Sequence, residues 1–222
     1  MNNELIIYND PKSQISEAIR TIRTNMQFSN IDKNIKTILV TSSMPGEGKS
    51  FTAANLAAAF ACGGDKVLLV DCDIRKGRQH NIFNQPNKSG LSNLLIDNVE
   101  ENHSNYIHPS GVFNLDILFK GSTPPNPSEL LSSEKNKRLI NILSKEYDVI
   151  IFDGAPLNGL PDSLVISSLV DGVIIVSAAK QTTLKALESS KRSLANVKAN
   201  ILGVVLNKSE VKTGKYYSKY YE

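Results

Sequence analysis

The stretch "IKTILVTSSMPGEGKS", residues 35 to 50, decides the fold. A β-branched apolar run ends in a turn with glycines at 46 and 48, and the chain continues into "FTAANLAAAFACGG", an Ala-rich segment closed by glycines. That order reads as strand, Gly-rich loop, helix. Residues 43 to 50 fit the phosphate-loop pattern G-x-x-x-x-G-K-[ST], with Ser43 in place of the first glycine. Gly46 and Gly48 allow the backbone to curl so that successive N–H groups point inward, and the dipole of the following helix adds to their pull on an anion. Lys49 is spaced to reach the β- and γ-phosphates of a nucleotide and Ser50 to ligate magnesium. The wrapping segment comprises Pro45, Gly46, Glu47, Gly48, Lys49, Ser50 and Phe51. ATP and Mg2+ are the cofactors this pattern calls for.

Moving outward, short apolar runs recur as "KVLLVD", "YDVIIFD", "DGVIIVSAA" and "NILGVVLNK". Runs without polar alternation predict strands buried on both faces, and the helical stretches between several of them predict the crossovers of a parallel sheet. The expected fold class is α/β, a three-layer P-loop NTPase fold with a mostly parallel central sheet flanked by helices. Ligands on such sheets bind at the carboxyl ends of the strands, where the polar residues of interest fall. Asp71 and Asp73 close the second run and Asp153 closes the third. Carboxylates there suit magnesium binding or general-base work.

Between those runs lies a long insert, residues 74 to 147, with "GLSNLLID", a candidate strand "NLDILF", and "GSTPPNPSELL", where Pro127 sets a helix start at Ser128. His80, His103 and His108 lack metal-ligand spacing and are expected at the surface. Near the start, "NDPKSQISEAIRTIRTNMQF" predicts an amphipathic helix capped by Asp10 with Pro11 at its first position, and with Ile15, Ile19, Ile22 and Met26 on one face. Glu17, Arg20 and Arg23 line another face at three-residue spacing.

With 222 residues, 41% hydrophobic and 21% charged, the chain fits one α/β-sized domain. A net charge of +3 from 25 basic and 22 acidic residues leaves no nucleic-acid footprint. Cys62 and Cys72 match no zinc or redox spacing and read as reduced thiols, as expected in the cytoplasm. No window is apolar enough to span a membrane, so a soluble chain is expected, with any membrane association through a partner. Four of the seven tyrosines, Tyr216, Tyr217, Tyr220 and Tyr221, sit in the last seven positions, interleaved with lysines. The expected organisation is a P-loop domain over residues 1–208 and a flexible tyrosine-rich tail over 209–222.

Taken together, "EAIRTIRTNMQF", "VTSSMPGEGKSFTAANLA", "LLVDCDIRK", "GLSNLL", "GSTPPNPSELL", "YDVIIFDGAPL", "ILGVVLNK" and the tyrosine tail resemble the bacterial protein-tyrosine kinases of capsule and exopolysaccharide assembly. The resemblance covers nearly the whole chain and is to the Gram-positive type, in which the kinase is separate from its membrane adaptor. It implies that Lys49 and Ser50 hold ATP phosphates and magnesium. Asp71, Asp73 and Asp153 would serve magnesium and the activation of the tyrosine hydroxyl, with Asp71 the favoured base and Asp73 and Asp153 beside the metal. Exchanging Asp71 and Asp73 would not conflict with the sequence. Asn207 matches the residue that contacts adenine in related ATPases. Glu17, Arg20 and Arg23 match a motif used to assemble a homo-oligomeric ring, and the four tail tyrosines match a cluster phosphorylated on a neighbouring subunit.

The implied partners are a transmembrane adaptor of the polysaccharide co-polymerase type and a cognate tyrosine phosphatase, which would place the chain at the inner face of the cell membrane. Two departures stand out. Gly154-Ala155-Pro156 replaces the Thr-Pro-Pro common after the third aspartate, which would loosen the turn beside the magnesium site and lower activity, and Gly77 replaces a common proline. Two other readings share the phosphate loop. One is a partitioning or positioning ATPase, although the second lysine usual in such loops is Met44 here. The other is a weakly catalytic scaffold of a polysaccharide assembly complex.

Overall fold

A computed structural model describes residues 3–29, 35–97 and 99–210. Its strands are β1 (Thr37–Ser42), β2 (Val67–Asp71), β3 (His108–Pro109), β4 (Leu115–Leu118), β5 (Val149–Asp153), β6 (Gly172–Ala178) and β7 (Ile201–Asn207). They form one sheet in the order β3-β4-β2-β5-β1-β6-β7, with every pair parallel except β3–β4. The helices are α1 (Ile6–Asn9), α2 (Gln14–Ser29), α3 (Lys49–Cys62), α4 (Gln79–Ile82), α5 (Leu91–Ile96), α6 (Val99–Asn102), α7 (Pro127–Ser132), α8 (Glu134–Glu146), α9 (Asp162–Ser167) and α10 (Leu184–Asn196).

The expected three layers follow from the period of two along each strand. Ile38, Val40, Val67, Leu69, Ile151, Ile174 and Val176 face the layer that holds α2 and α3. Leu39, Leu68, Val70, Ile150, Phe152, Val173 and Ile175 face the layer built from α5, α8, α9 and α10. Helix α3 is buried along nearly its whole length, because α2 covers the side away from the sheet. An all-round apolar, Ala-rich helix suits that sandwiched place, since small side chains let sheet and helix approach closely. Asn55, in the middle of α3, is fully buried and pins α1, its Oδ1 accepting from Ile7 N at 3.0 Å and its Nδ2 donating to Glu4 O at 2.9 Å.

Several local expectations are corrected. The N-terminal helix starts at Gln14, because the Ser13 hydroxyl accepts from Ser16 N at 3.2 Å and so supplies the cap assigned to Asp10. The Asp10 carbonyl instead accepts from the hydroxyls of Ser13 and Ser16. Helix α7 begins at Pro127 rather than Ser128, since proline is tolerated at a first helical position, where its missing N–H has no partner anyway. β7 is not buried on both faces. It is the sheet's edge, and Val204 and Leu206 are more than half exposed.

The histidines are not simply at the surface either. His103 pairs with Glu146 at 2.9 Å, His108 stacks on Phe119, and Nδ1 of His80 is buried. The turn at 154–156 is tight, not loosened. Gly154 N donates to Val40 O at 2.9 Å, and the hydroxyls of Thr41 and Ser163 both donate to Ala155 O. A Cβ at residue 154 would lie 2.5 Å from Ser163 Oγ and 2.6 Å from Leu39 Cδ1, so a larger residue there would have to displace those side chains.

Candidate nucleotide and phosphoryl-transfer site

Because β1, β2, β5, β6 and β7 run parallel, their carboxyl ends lie along one edge, and the loops that follow them enclose a cleft of about 740 Å³. Its walls include Gly46, Lys49, Ser50, Asp73, Lys76 and Asn207. The phosphate loop between β1 and α3 has φ of 80° at Gly46 and 97° at Gly48, the left-handed conformation the curled backbone requires. Ser43, in the place of the first motif glycine, is buried and accepts a hydrogen bond from Ser190 Oγ of α10 at 2.9 Å.

Glu47 turns inward, where its carboxylate accepts from Met44 N at 2.8 Å and from the Thr182 hydroxyl, bracing the loop against the end of β6. Asn207 and Lys208, at the end of β7, hold the same loop from above. Asn207 Nδ2 donates to Glu47 O at 2.9 Å and Lys208 Nζ to Gly46 O at 2.8 Å. Asn207 thus stands at the cleft wall, with its amide nitrogen engaged by the loop.

Lys49 opens α3 and reaches across to the acids. Its Nζ lies 2.8 Å from Asp73 Oδ2, 3.8 Å from Asp153 Oδ1 and 3.5 Å from Ser50 Oγ. Burial works against the ammonium, but the carboxylates of Asp153 and Asp73 outweigh it and hold its pKa above the ordinary lysine value. The β2–β5 register sets Asp71 directly beside Asp153. Burial pushes the Asp71 carboxyl well up, and its neighbour Asp153 pushes it further. Burial also raises Asp153, against the pull of Lys49, the Ser50 hydroxyl and Gln79.

The three acids are therefore not equivalent. Asp73 faces the cleft with both oxygens engaged, Oδ2 by Lys49 and Oδ1 by the Lys76 N–H at 2.9 Å. Asp71 is fully buried beneath Gly77, where a Cβ would fall 2.2 Å from Asp71 Oδ1. Its Oδ2 accepts from Gln79 N at 3.1 Å, while Oδ1 has no hydrogen-bond partner. Asp153 is also fully buried, and its Oδ1 is likewise without a hydrogen-bond partner.

Arg75 and Gln79 are also built into this edge. Arg75 is anchored outward, its Nε on Asp162 Oδ2 at 2.7 Å, while Ser128 Oγ donates to Asp162 Oδ1 at 2.5 Å. That buried aspartate ties the loop after β2 to α7 and α9. Gln79 lies inside the cluster, donating to Asp153 and to Ser50 O. Nothing in the polar run "KGRQHN" marks it as special, since both partners come from other elements.

The residues fit a magnesium nucleotide. Curled loop amides, the helix N-terminus and Lys49 form a phosphate cradle, and beside it the Ser50 hydroxyl and Asp153 Oδ1, which makes no hydrogen bond, are hard-oxygen donors. Among the described residues no three His, Cys, Asp or Glu side chains gather into a metal cage.

Glu17, Arg20 and Arg23 lie elsewhere. Glu17 and Arg20 pair with each other on α2, and Arg23 Nη1 donates to Ala59 O at 2.7 Å, near the far end of α3. Ala59 is roughly 15 Å along the helix axis from Lys49. Tyr216, Tyr217, Tyr220 and Tyr221 lie outside the described residues.

A family model described as an AAA domain matches residues 35–208. The chain is 40% identical over 98% of its length to CapB of Staphylococcus aureus, covering 94% of that protein. It is 38% identical over 99% of its length to the tyrosine-protein kinase YwqD of Bacillus subtilis, covering 92% of that protein. Among solved structures, the chimerical protein CapA2B2 superimposes with a TM-score of 0.89 at 39% identity, over 94% of this chain and 91% of that one.

Proposed function

The chain belongs to the bacterial tyrosine-protein kinases, the type with a separate membrane adaptor, and from that premise we propose that it autophosphorylates its C-terminal tyrosines in trans and thereby regulates capsular or exopolysaccharide synthesis and export. The observation that carries this reading is a nucleotide-sized cleft lined by Lys49 and Asp73, with Lys49 also paired to the buried Asp153 and Asp71 set beside that residue.

Phosphoryl transfer asks for positioning and charge neutralisation, because negative charge spreads over the γ-phosphoryl oxygens in a loose transition state. Lys49 and the loop amides supply positive potential there. Ser50 and Asp153, with Asp73 beside them, would hold magnesium, which would supply the remaining charge neutralisation. Asn207 borders the cleft where an adenine would lie.

The incoming tyrosine hydroxyl has a pKa of ~10 and keeps its proton at neutral pH, so a carboxylate must take that proton as the oxygen–phosphorus bond forms. Asp71 suits the task. It has an oxygen without a donor and, through burial, a raised proton affinity, whereas both oxygens of Asp73 are engaged. Gly77 lies against the Asp71 carboxylate, so a hydroxyl would reach Asp71 only with Gly77 displaced.

Among the described residues no helix is long and apolar enough to cross a membrane, so we assign membrane attachment to a transmembrane adaptor. The Glu17, Arg20 and Arg23 face would assemble the ring that brings each tail to a neighbour's cleft, and a tyrosine phosphatase would reverse the modification. Each added phosphate brings about −1.5 to −2 charges. Repulsion among several phosphorylated tails would then loosen the ring.

The test is incubation with γ-labelled ATP, magnesium and the adaptor's cytoplasmic segment. Wild type should gain label on tyrosine, while Lys49→Met and a chain with all four tail tyrosines changed to phenylalanine should not. Hydrolysis of ATP by wild type without any label on tyrosine would put a nucleotide-switch ATPase in place of the kinase.

A further inference from the structure

We infer that Gln79 is a positioning residue for the metal site. By holding one oxygen of Asp153 and the main chain of Ser50 together, it sets which oxygen of Asp153 stays open to magnesium, an inference that rests on the phosphoryl-transfer reading. Gln79 is fully buried at the start of α4. Its Nε2 donates to Asp153 Oδ2 at 2.8 Å and to Ser50 O at 3.0 Å. A backbone carbonyl can only accept, and so can an ionised carboxylate, so the amide must turn its NH2 toward them and its Oε1 away. Oε1 is accordingly buried without a hydrogen-bond partner. The Gln79 backbone N–H fixes the third element of the cluster by donating to Asp71 Oδ2 at 3.1 Å.

The consequence for Asp153 is geometric. With Oδ2 occupied, Oδ1 is the oxygen left without a hydrogen bond, 3.8 Å from Lys49 Nζ. Through Ser50 O the same amide ties the first turn of α3, which carries the Ser50 hydroxyl, to the end of β5. One side chain therefore spaces the two protein oxygens proposed as metal ligands. A neutral donor fits this task better than a charged one. A lysine or arginine would pair with the acid and repel the cation, while a carboxylate would repel Asp153. An apolar side chain would let the carboxylate turn either oxygen to the cleft. Partners that orient a ligating group in this way contribute strongly to metal affinity.

The experiment measures binding of a fluorescent ADP analogue to the full chain while magnesium is titrated, for wild type, Gln79→Met and Gln79→Glu, with thermal melting as the check on folding. ADP is chosen because no phosphoryl transfer then intrudes. Both variants should bind the nucleotide without magnesium as wild type does. The magnesium concentration for half-maximal effect should rise on the order of ten-fold or more in Gln79→Met, and further in Gln79→Glu. Wild-type binding indifferent to magnesium would contradict the metal reading of the site itself. A wild type that responds, with a folded variant that shares its half-maximal concentration, would overturn the role of Gln79 alone. Equal weakening of binding with and without magnesium would reduce Gln79 to a structural part and also overturn it. Either variant that folds decides the matter.

Discussion

The acid cluster around Lys49 gives Asp71 two opposed properties. A buried carboxyl with a raised pKa prefers to be protonated in the folded state, so its stabilising effect is full below the unfolded value of ~3.9 and is lost as pH rises through the folded value. Ionisation of this carboxyl therefore works against the fold, and Asp153 beside it adds to the repulsion. Asp71→Asn should melt at a higher temperature than wild type at pH 7 and lose tyrosine phosphorylation. The gap in melting temperature should shrink on acidification, and a variant that melts lower at pH 7 would refute this account of the cluster. The phosphate loop and the three acids were legible because each directly follows an apolar run, so strand ends marked them. Gln79 was not, because Asp153 lies 74 residues away and only the fold brings the two together. Gly154 was misread for a related reason. The turn is held by hydrogen bonds to Val40, Thr41 and Ser163, which lie in other elements and which its own residues do not reveal.

Single elements show where pattern reading succeeds and fails. Four of the five buried-looking runs are indeed buried strands, but "ILGVVL" has the same apolar character and forms an edge. Only the neighbour list of a sheet, which no local run contains, separates the two cases. Helix α2 was legible from its periodicity, yet its motif residues divide in a way spacing cannot show. Arg23 donates to the Ala59 carbonyl near the end of α3, where a cation meets the negative end of the helix dipole, while Arg20 pairs with Glu17 on the exposed side. Arg23→Ala should accordingly cost the isolated chain about 1–2 kcal/mol in urea unfolding. Arg20→Ala should cost roughly 0.5 kcal/mol or less, as for an exposed helix pair. If both motif arginines serve assembly, each variant should also shift sedimentation toward the monomer. Loss of assembly in Arg20→Ala with stability intact would isolate the intersubunit role. Unchanged sedimentation in Arg20→Ala would remove Arg20 from the interface.

At the scale of the whole molecule, Lys49 and the Ala59 carbonyl that Arg23 holds lie at opposite ends of α3, roughly 15 Å apart along its axis, so the face proposed for assembly lies away from the cleft proposed for catalysis. A chain that modifies its neighbour needs this separation, because the surface used for assembly must leave the cleft open. The parallel sheet and the cleft at its carboxyl edge were legible from alternating apolar runs and crossovers, which local sequence encodes. The delivery of the tail to a second chain, which the resemblance implied, is our proposal, and the four tyrosines lie outside the described residues. The central claim is that this cleft phosphorylates the tail of another copy. It is tested most directly by mixing Lys49→Met chains that retain Tyr216, Tyr217, Tyr220 and Tyr221 with active chains in which those four are phenylalanine, then supplying γ-labelled ATP, magnesium and the adaptor segment. Label on the tail tyrosines of the Lys49→Met chain is the result expected. An active partner preparation that labels itself or turns over ATP while the Lys49→Met tail stays unlabelled would contradict the claim.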